Sequence, residues 1–151
     1  IMQIGNPGDV YEQPENKFVA DFIGETNFLE GKILQVSEHE TTVLTKDGLT
    51  IYACPIEHEV EGFKEGSKVY VSVRPERINI QRAKIKEQNA FRGKIEDLVY
   101  IGSGAKYYIR LDSGCRLVVN KPIVDRSILY EEGEQVYVGW GPRSCLLIPY
   151  E

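Results

Sequence analysis

The chain has 151 residues, of which 42% are hydrophobic and 27% charged, and its formal net charge is −5. This composition indicates a folded domain rather than a disordered segment, and without an apolar run of about 18 residues it predicts no transmembrane helix. The lack of clustered positive charge argues against binding to the phosphate backbone of nucleic acids. Because the chain begins at Ile1 without a methionine or a signal peptide, we expect a piece of a longer protein.

The first segment, residues 1–27, is predicted to contain a short helix. Pro14 suits the first turn of a helix, and Gly24 suits the position just past its end. Four apolar side chains between them share one helical face, namely Phe18, Val19, Phe22 and Ile23. These are candidate contacts for packing against a neighbouring domain or for dimerisation. Two alternatives remain open: the helix packs on its own domain, or it is shared with a domain upstream.

The rest of the chain contains one pattern twice. The glycines of the first copy return in the second at separations of 62, 66 and 67 residues, as Gly31 and Gly93, Gly48 and Gly114, and Gly66 and Gly133. A period above 50 residues is too long for a solenoid. It predicts two copies of one small β unit, residues 28–80 and 91–151, separated by a polar linker at 81–90.

Each copy has the composition of short β-strands. Runs of Val, Ile, Tyr and Thr are interrupted by turn residues, and Asp47-Gly48 and Ser113-Gly114 predict hairpins. Pro75 and Pro142 cannot donate to a ladder, so they should either end pairing or lie at the edge of a sheet. About five strands per copy predict an all-β fold of tandem, segmented OB-fold barrels, preceded by the short N-terminal helical segment.

Several motifs resemble the nucleotide-binding subunits of ATP-binding-cassette importers. The stretch "GNPGDVYEQPENKFVADFIGETNF" resembles the segment that leaves their nucleotide-binding domain. It matches at Gly5, Pro7, Val10, Tyr11, Pro14, Phe18, Val19, Ala20, Phe22, Ile23, Gly24 and Asn27. "VSVRPERI" and "VYIGSGAKYYIRLDSG" resemble elements of the transport-associated OB domain, called TOBE, that follows it. Polyamine importers look closest among these families. The resemblance implies that residues 1–27 end a nucleotide-binding domain and that residues 28–151 form the TOBE domain.

The motifs that hydrolyse ATP in this family have no counterpart in the sequence. There is no G-x-x-x-x-G-K-[ST] phosphate loop, and residues 62–68 have one residue too few between their glycines and precede a strand rather than a helix. We therefore expect no catalytic or cofactor-binding residue here. The resemblance implies that ATP and Mg²⁺ belong to the longer parent protein, an ATPase.

Four polar residues are candidate contacts for partners or ligands. Arg74 and Glu76 flank a proline at the end of a strand and are expected to contact a neighbouring domain. Ser103 and Lys106, in and after a predicted Gly102–Gly104 hairpin, are candidates for a small ligand. His39 and His58 are expected to be exposed without forming a metal site. The three cysteines lack framework spacing, so we expect reduced thiols and no intramolecular disulfide under mild conditions without added oxidant.

The resemblance further implies the partners of the parent protein. They are a second copy in a homodimer, the upstream nucleotide-binding domain, membrane permease subunits, and a regulatory protein or small solute. It places the protein in the cytoplasm, at the inner face of the cell membrane, as a regulatory and dimerisation domain. The alternative is a free-standing OB protein that binds a small oxyanion or a nucleic acid, although the acidic charge argues against nucleic acid as a partner.

Overall fold

A computed structural model describes residues 25–55, 63–124 and 129–150 of the chain. The predicted N-terminal helix, with Phe18, Val19, Phe22 and Ile23, lies outside the described residues, as does His58. The assignment of residues 1–27 to the end of a preceding domain stays a prediction. Within the described ranges, no helix is long and apolar enough to span a membrane.

Ten strands within the described residues form two five-stranded antiparallel sheets. The first half contributes β1 (Asn27–Val36), β2 (Thr41–Thr45), β3 (Thr50–Ala53), β4 (Lys68–Val73) and β5 (Asn79–Gln81). The second half contributes β6 (Asn89–Ile101), β7 (Gly104–Leu111), β8 (Arg116–Pro122), β9 (Gln135–Trp140) and β10 (Cys145–Pro149). The prediction of an all-β chain with five strands in each copy is confirmed.

The two halves exchange their last strands. The first sheet has the order β10-β4-β1-β2-β3, and the second has the order β5-β9-β6-β7-β8. Thus β5 leaves the first half to pair with β9, and β10 returns from the second half to pair with β4. Each exchange follows a 3-10 turn that begins with a proline, Pro75–Arg77 after β4 and Pro142–Ser144 after β9. The prolines therefore end pairing, as predicted, and redirect the chain into the other sheet.

The sequence repeat is reproduced in the hydrogen bonds of the turns. Gly48 and Gly114 close the predicted hairpins with φ angles of 90° and 97°, a region that favours glycine. The amides of Gly66 and Gly133 each donate to a carbonyl beside a strand irregularity, Ile33 O and Ile95 O, at 2.7 Å. The same backbone design therefore occurs twice, which explains why the glycines recur.

One continuous apolar core lies between the sheets. The predicted alternation in β4 buries Val69, Val71 and Val73, and the equivalent strand β9 buries Val136, Val138 and Trp140. The opposite face of β4 is covered as well, because the ring of Tyr150 stacks on Tyr70 with a centroid separation of 5.2 Å. Both faces of this strand are therefore removed from water.

Two buried asparagines join the sheets directly. Asn27 accepts from the amide of Val118 at 2.8 Å and donates to the Val118 carbonyl at 3.0 Å, so a β1 side chain pairs with the backbone of β8. Asn89 does the same from β6 to Tyr52 of β3, at 2.7 and 3.0 Å. Each asparagine replaces a missing backbone partner between strands of different sheets.

Candidate functional site

An open cleft of about 440 Å³ lies at the junction between the first 3-10 turn and the second sheet. Its walls come from the Pro75–Arg77 turn, the β6–β7 hairpin and the end of β8. The lining residues are Glu76, Ile101, Ser103, Gly104, Ala105, Lys106, Asn120, Lys121 and Pro122. This volume is in the range of pockets that hold small molecules.

The hairpin at the cleft rim is a two-residue turn. Ile101 pairs with Gly104, so Gly102 and Ser103 form the turn between β6 and β7. Gly102 has a φ of 59°, which a side chain would disfavour. The predicted tight hairpin is confirmed, and it holds Ser103 exposed at the rim while the side chain of Ile101 stays 59% exposed.

Charged groups of both signs surround the cleft. The ammonium of Lys106 lies 3.2 Å from the carboxylate of Glu25, and the guanidinium of Arg74 donates to the Glu25 carbonyl at 2.9 Å. Burial lowers the pKa of Lys121 below its ordinary value, while the nearby carboxylate of Glu76 acts in the opposite direction. The carboxylates of Glu25 and Glu76 therefore offset part of the positive charge of the lysines in the cleft.

Three of the predicted contact residues meet in this cleft. Glu76, Ser103 and Lys106 all line it, although they come from distant parts of the chain. Arg74 lies beside it through its bond to Glu25. Their roles as partner or ligand contacts stay predictions, since the structure gives only their positions.

Sequence reasoning missed two lining residues, Asn120 and Lys121. The amide oxygen of Asn120 is buried and has no hydrogen-bond partner among the described residues. The available signal is the repeat itself: at the separation of 66 residues, Asn120 and Lys121 stand where the first copy has Cys54 and Pro55. The two copies therefore differ in polarity at these equivalent positions.

His39 and the three cysteines lie outside the cleft. His39 has a side chain that is 87% exposed. Across the described residues, no three His, Cys, Asp or Glu side chains converge in a way that could hold a metal ion. The three cysteines are free thiols, with Cys115 buried, Cys145 half-buried and Cys54 exposed.

A comparison with protein families matches the TOBE domain to residues 71–148. The chain belongs to the TOBE domain family. The match begins in β4 and ends in β10, so it includes both exchanged strands and the whole candidate cleft.

Curated relatives of this TOBE chain are described as spermidine/putrescine import ATP-binding proteins, PotA. The protein from Thermotoga maritima is 34% identical over 155 residues, which covers 98% of this chain and 41% of the relative. The protein from Rubrobacter xylanophilus is 34% identical over 150 residues, covering 98% of this chain and 38% of the relative. The chain thus spans about two fifths of the length of the curated relatives it matches.

A solved structure supports the fold of the TOBE chain. The cytoplasmic molybdate-binding protein ModG, in a form with molybdate bound, superposes with a TM-score of 0.70. The match covers 81% of this chain and 94% of that chain at 12% sequence identity. At this identity the likeness concerns the fold alone, and the predicted tandem OB-type architecture is confirmed.

Proposed function

We propose that this chain is the C-terminal regulatory and dimerisation domain of the ATP-binding subunit of an ABC importer that takes up a small solute of the polyamine class. The observation that carries the proposal is the match to spermidine/putrescine import ATP-binding proteins over 98% of the chain. The N-terminal motif at Gly5 to Asn27 supports it, because that motif resembles the exit from a nucleotide-binding domain.

In this proposal ATP and Mg²⁺ bind to the nucleotide-binding domain of the parent protein, and the TOBE domain acts on it by linkage. A partner or solute that binds one arrangement of the subunit pair better than another shifts the pair toward that arrangement. The cleft around Glu76 and Lys106 is the surface we assign to this contact. The parent protein works in the cytoplasm, held at the membrane by permease subunits and paired with a second copy of itself.

Uptake by the parent protein tests the proposal. Cells that lack their own polyamine ATP-binding subunit receive the full-length natural gene, together with its permease genes, and uptake of labelled spermidine and putrescine is measured. We expect uptake to be restored. Glu76→Gln should change the rate or its response to internal solute, whereas Glu132→Gln, an exposed change in the loop before β9, should not. A full-length gene that supports no uptake of either solute would contradict the polyamine assignment.

A second candidate function is the binding of a small oxyanion. The observation that favours it is the convergence of Ser103, Lys106 and Lys121 on one cleft in a fold shared with a molybdate-binding protein. Glu25 and Glu76 weaken the attraction for an anion, so we place this function second. Calorimetric titration of the 151-residue chain with molybdate and with spermidine distinguishes the two. Molybdate binding that is lost in Lys121→Gln would favour the oxyanion function.

A further inference from the structure

The first sheet has two outer strands, β3 and β10, and a cysteine stands at the end of β3 and another at the start of β10. Cys54 follows the last residue of β3, and Cys145 opens β10. The thiols of Cys54 and Cys145 both donate to one acceptor, the carbonyl oxygen of Pro142, at 3.6 Å each. The two sulfur atoms are therefore separated by no more than the sum of these distances.

The surroundings of the two thiols are almost entirely apolar. They line a cleft of about 180 Å³ whose other walls are Ala53, Pro55, Phe63, Leu146 and Leu147. The Cys145 sulfur also lies 3.8 Å from the carbonyl oxygen of Tyr52, on the residue that Asn89 clamps. Both thiols are thus held by contacts to the backbone at the place where the end of β3 meets the start of β10, which we call the seam of the first sheet. Cys54 is exposed to solvent there.

We propose that Cys54 and Cys145 form an oxidisable thiol pair, whose disulfide covalently closes the seam of the first sheet. The oxidant is a low-molecular-weight disulfide. The Cys54 thiolate attacks one of its sulfur atoms, which forms a mixed disulfide and releases one small thiolate that takes up a proton. The Cys145 thiolate then attacks the Cys54 sulfur, which forms the protein disulfide and releases the second small thiol. Two protein thiols are oxidised and one small disulfide is reduced.

The order of the two steps follows from exposure. Cys54 is exposed and can meet a molecule from solution, whereas Cys145 is half-buried. Burial raises the pKa of Cys145 to about 11, which disfavours its reaction with a dilute external disulfide. Once Cys54 carries the mixed disulfide, its sulfur is a neighbour at high effective concentration, and the second step becomes intramolecular.

The third cysteine provides an internal control. Cys115 is buried below the β7–β8 turn, and its thiol is directed at the carbonyl of Arg116 at 3.9 Å. Burial raises its pKa to about 12, so it should stay reduced under the same conditions. The seam of the second sheet has no such pair, because residue 120 there is an asparagine in place of a cysteine.

Oxidised glutathione at pH 8 is the probe, applied to the folded, fully reduced 151-residue chain. Thiol titration and intact mass follow the reaction, and peptide mapping without reduction locates the bond. Before treatment three thiols should titrate in denaturant. Afterwards one should remain, the mass should fall by two hydrogens, and a peptide joining Cys54 to Cys145 should appear. The urea unfolding midpoint of the oxidised chain should rise, because the new bond restricts the unfolded chain.

Single variants separate the steps. Cys145→Ser should stop at a stable glutathione adduct on Cys54, and Cys54→Ser should keep both of its remaining thiols reduced. Cys115→Ser should still form the bond. Near-ultraviolet circular dichroism checks that each variant is folded. A persistent glutathione adduct on wild-type Cys54, a bond to Cys115, or a covalent dimer through Cys54 in place of the internal bond would overturn the proposal.

Discussion

Asn27 and Asn89 perform the same task at equivalent positions, 62 residues apart. Each is buried and satisfies both the amide and the carbonyl of one residue in the other sheet. Asn27 also donates to the Val73 carbonyl at 3.1 Å, so it holds β4 as well as β8. A buried amide with all of its partners in place specifies one arrangement of the two sheets, because any other arrangement leaves it unpaired.

We predict that Asn27→Ala and Asn89→Ala each lower the free energy of unfolding by roughly 2 to 3 kcal/mol, because each leaves backbone groups without a partner. Asn79 is the matched control: it is exposed, and its side chain donates to the side chain of Glu87 rather than to the backbone of another strand. Asn79→Ala should change the free energy of unfolding by less than about 0.5 kcal/mol. Urea unfolding followed by circular dichroism measures all three. If the buried and the exposed asparagine variants lost the same free energy of unfolding, the account of Asn27 and Asn89 as links between the sheets would be contradicted.

Because thiol and phenol groups are buried in the fold, we predict that the protein loses stability against unfolding at alkaline pH. Burial raises the pKa of Cys115 to about 12 and that of Tyr70 to about 12. Below the ordinary pKa both states hold the proton, and the full stability is present. As the pH rises above about 9, the unfolded chain loses the thiol proton while the folded chain keeps it, so the unfolded state is favoured. The urea midpoint should fall from about pH 9 to pH 11, and less steeply in Cys115→Ala than in Cys54→Ala.

At the scale of the strand, two glycines let neighbouring backbones approach. A Cβ on Gly31 of β1 would lie 2.6 Å from the Leu44 carbonyl oxygen, and one on Gly93 of β6 would lie 2.7 Å from that of Arg110. Both positions precede the irregularities in β1 and β6 that bend these strands. The repeat of these glycines in the sequence therefore reflects a close contact rather than a turn.

We predict that Gly31→Ala and Gly93→Ala each destabilise the fold by about 1 to 3 kcal/mol, because the neighbouring strand must shift to admit the methyl group. Gly104→Ala is the control within the same sheet as Gly93, since its nearest atom, the Lys121 carbonyl oxygen, is 3.4 Å away. Thermal unfolding of the three variants gives the comparison. If the Gly104 variant were as unstable as the other two, the loss of stability would come from the lost backbone flexibility of glycine and not from contact with the neighbouring strand.

The sequence predicted where the strands lie better than which strands pair with each other. Turn chemistry at Asp47-Gly48 and Ser113-Gly114 is local, so the hairpins could be predicted from a few residues. The exchange of β5 and β10 could not be, because a ladder partner is chosen by contacts between residues far apart in the chain. The prolines at 75 and 142 indicated only that pairing ends there, and not that the chain crosses to the other sheet.

For the same reason, some residues of the candidate cleft were singled out from the sequence, but the cleft that unites them was not predicted. Glu76, Ser103 and Lys106 were identified from local features, a proline turn and a hairpin. Asn120 and Lys121 follow no local motif, and they enter the site because β8 ends beside the Pro75–Arg77 turn. The contacts of Asn27 and Asn89 between the sheets were not predicted, although Asn27 belongs to the N-terminal motif. The sequence around a single polar residue does not show which distant backbone groups it will bind.

At the scale of the whole molecule, the predicted apolar face of the N-terminal segment implies association. Exposing Phe18, Val19, Phe22 and Ile23 together would be costly, since burial of one large apolar side chain contributes about 1.5 to 3 kcal/mol. We predict a two-fold homodimer, weakened or lost in the double variant Phe18→Asp/Phe22→Asp. Sedimentation equilibrium of both proteins measures it. A wild-type chain that stays monomeric at high micromolar concentration would show that association is wrong.

ATP hydrolysis tests the assignment to an import ATPase most directly. Phosphate release is measured side by side for the full-length natural protein and for the 151-residue chain, at the same concentration with saturating Mg²⁺ and ATP. The full-length protein should hydrolyse ATP, because the phosphate loop is expected in its nucleotide-binding domain. The 151-residue chain should give no release above the blank, since its sequence contains no phosphate loop. Turnover by the 151-residue chain alone, or a folded full-length protein without any ATP hydrolysis, would contradict the assignment.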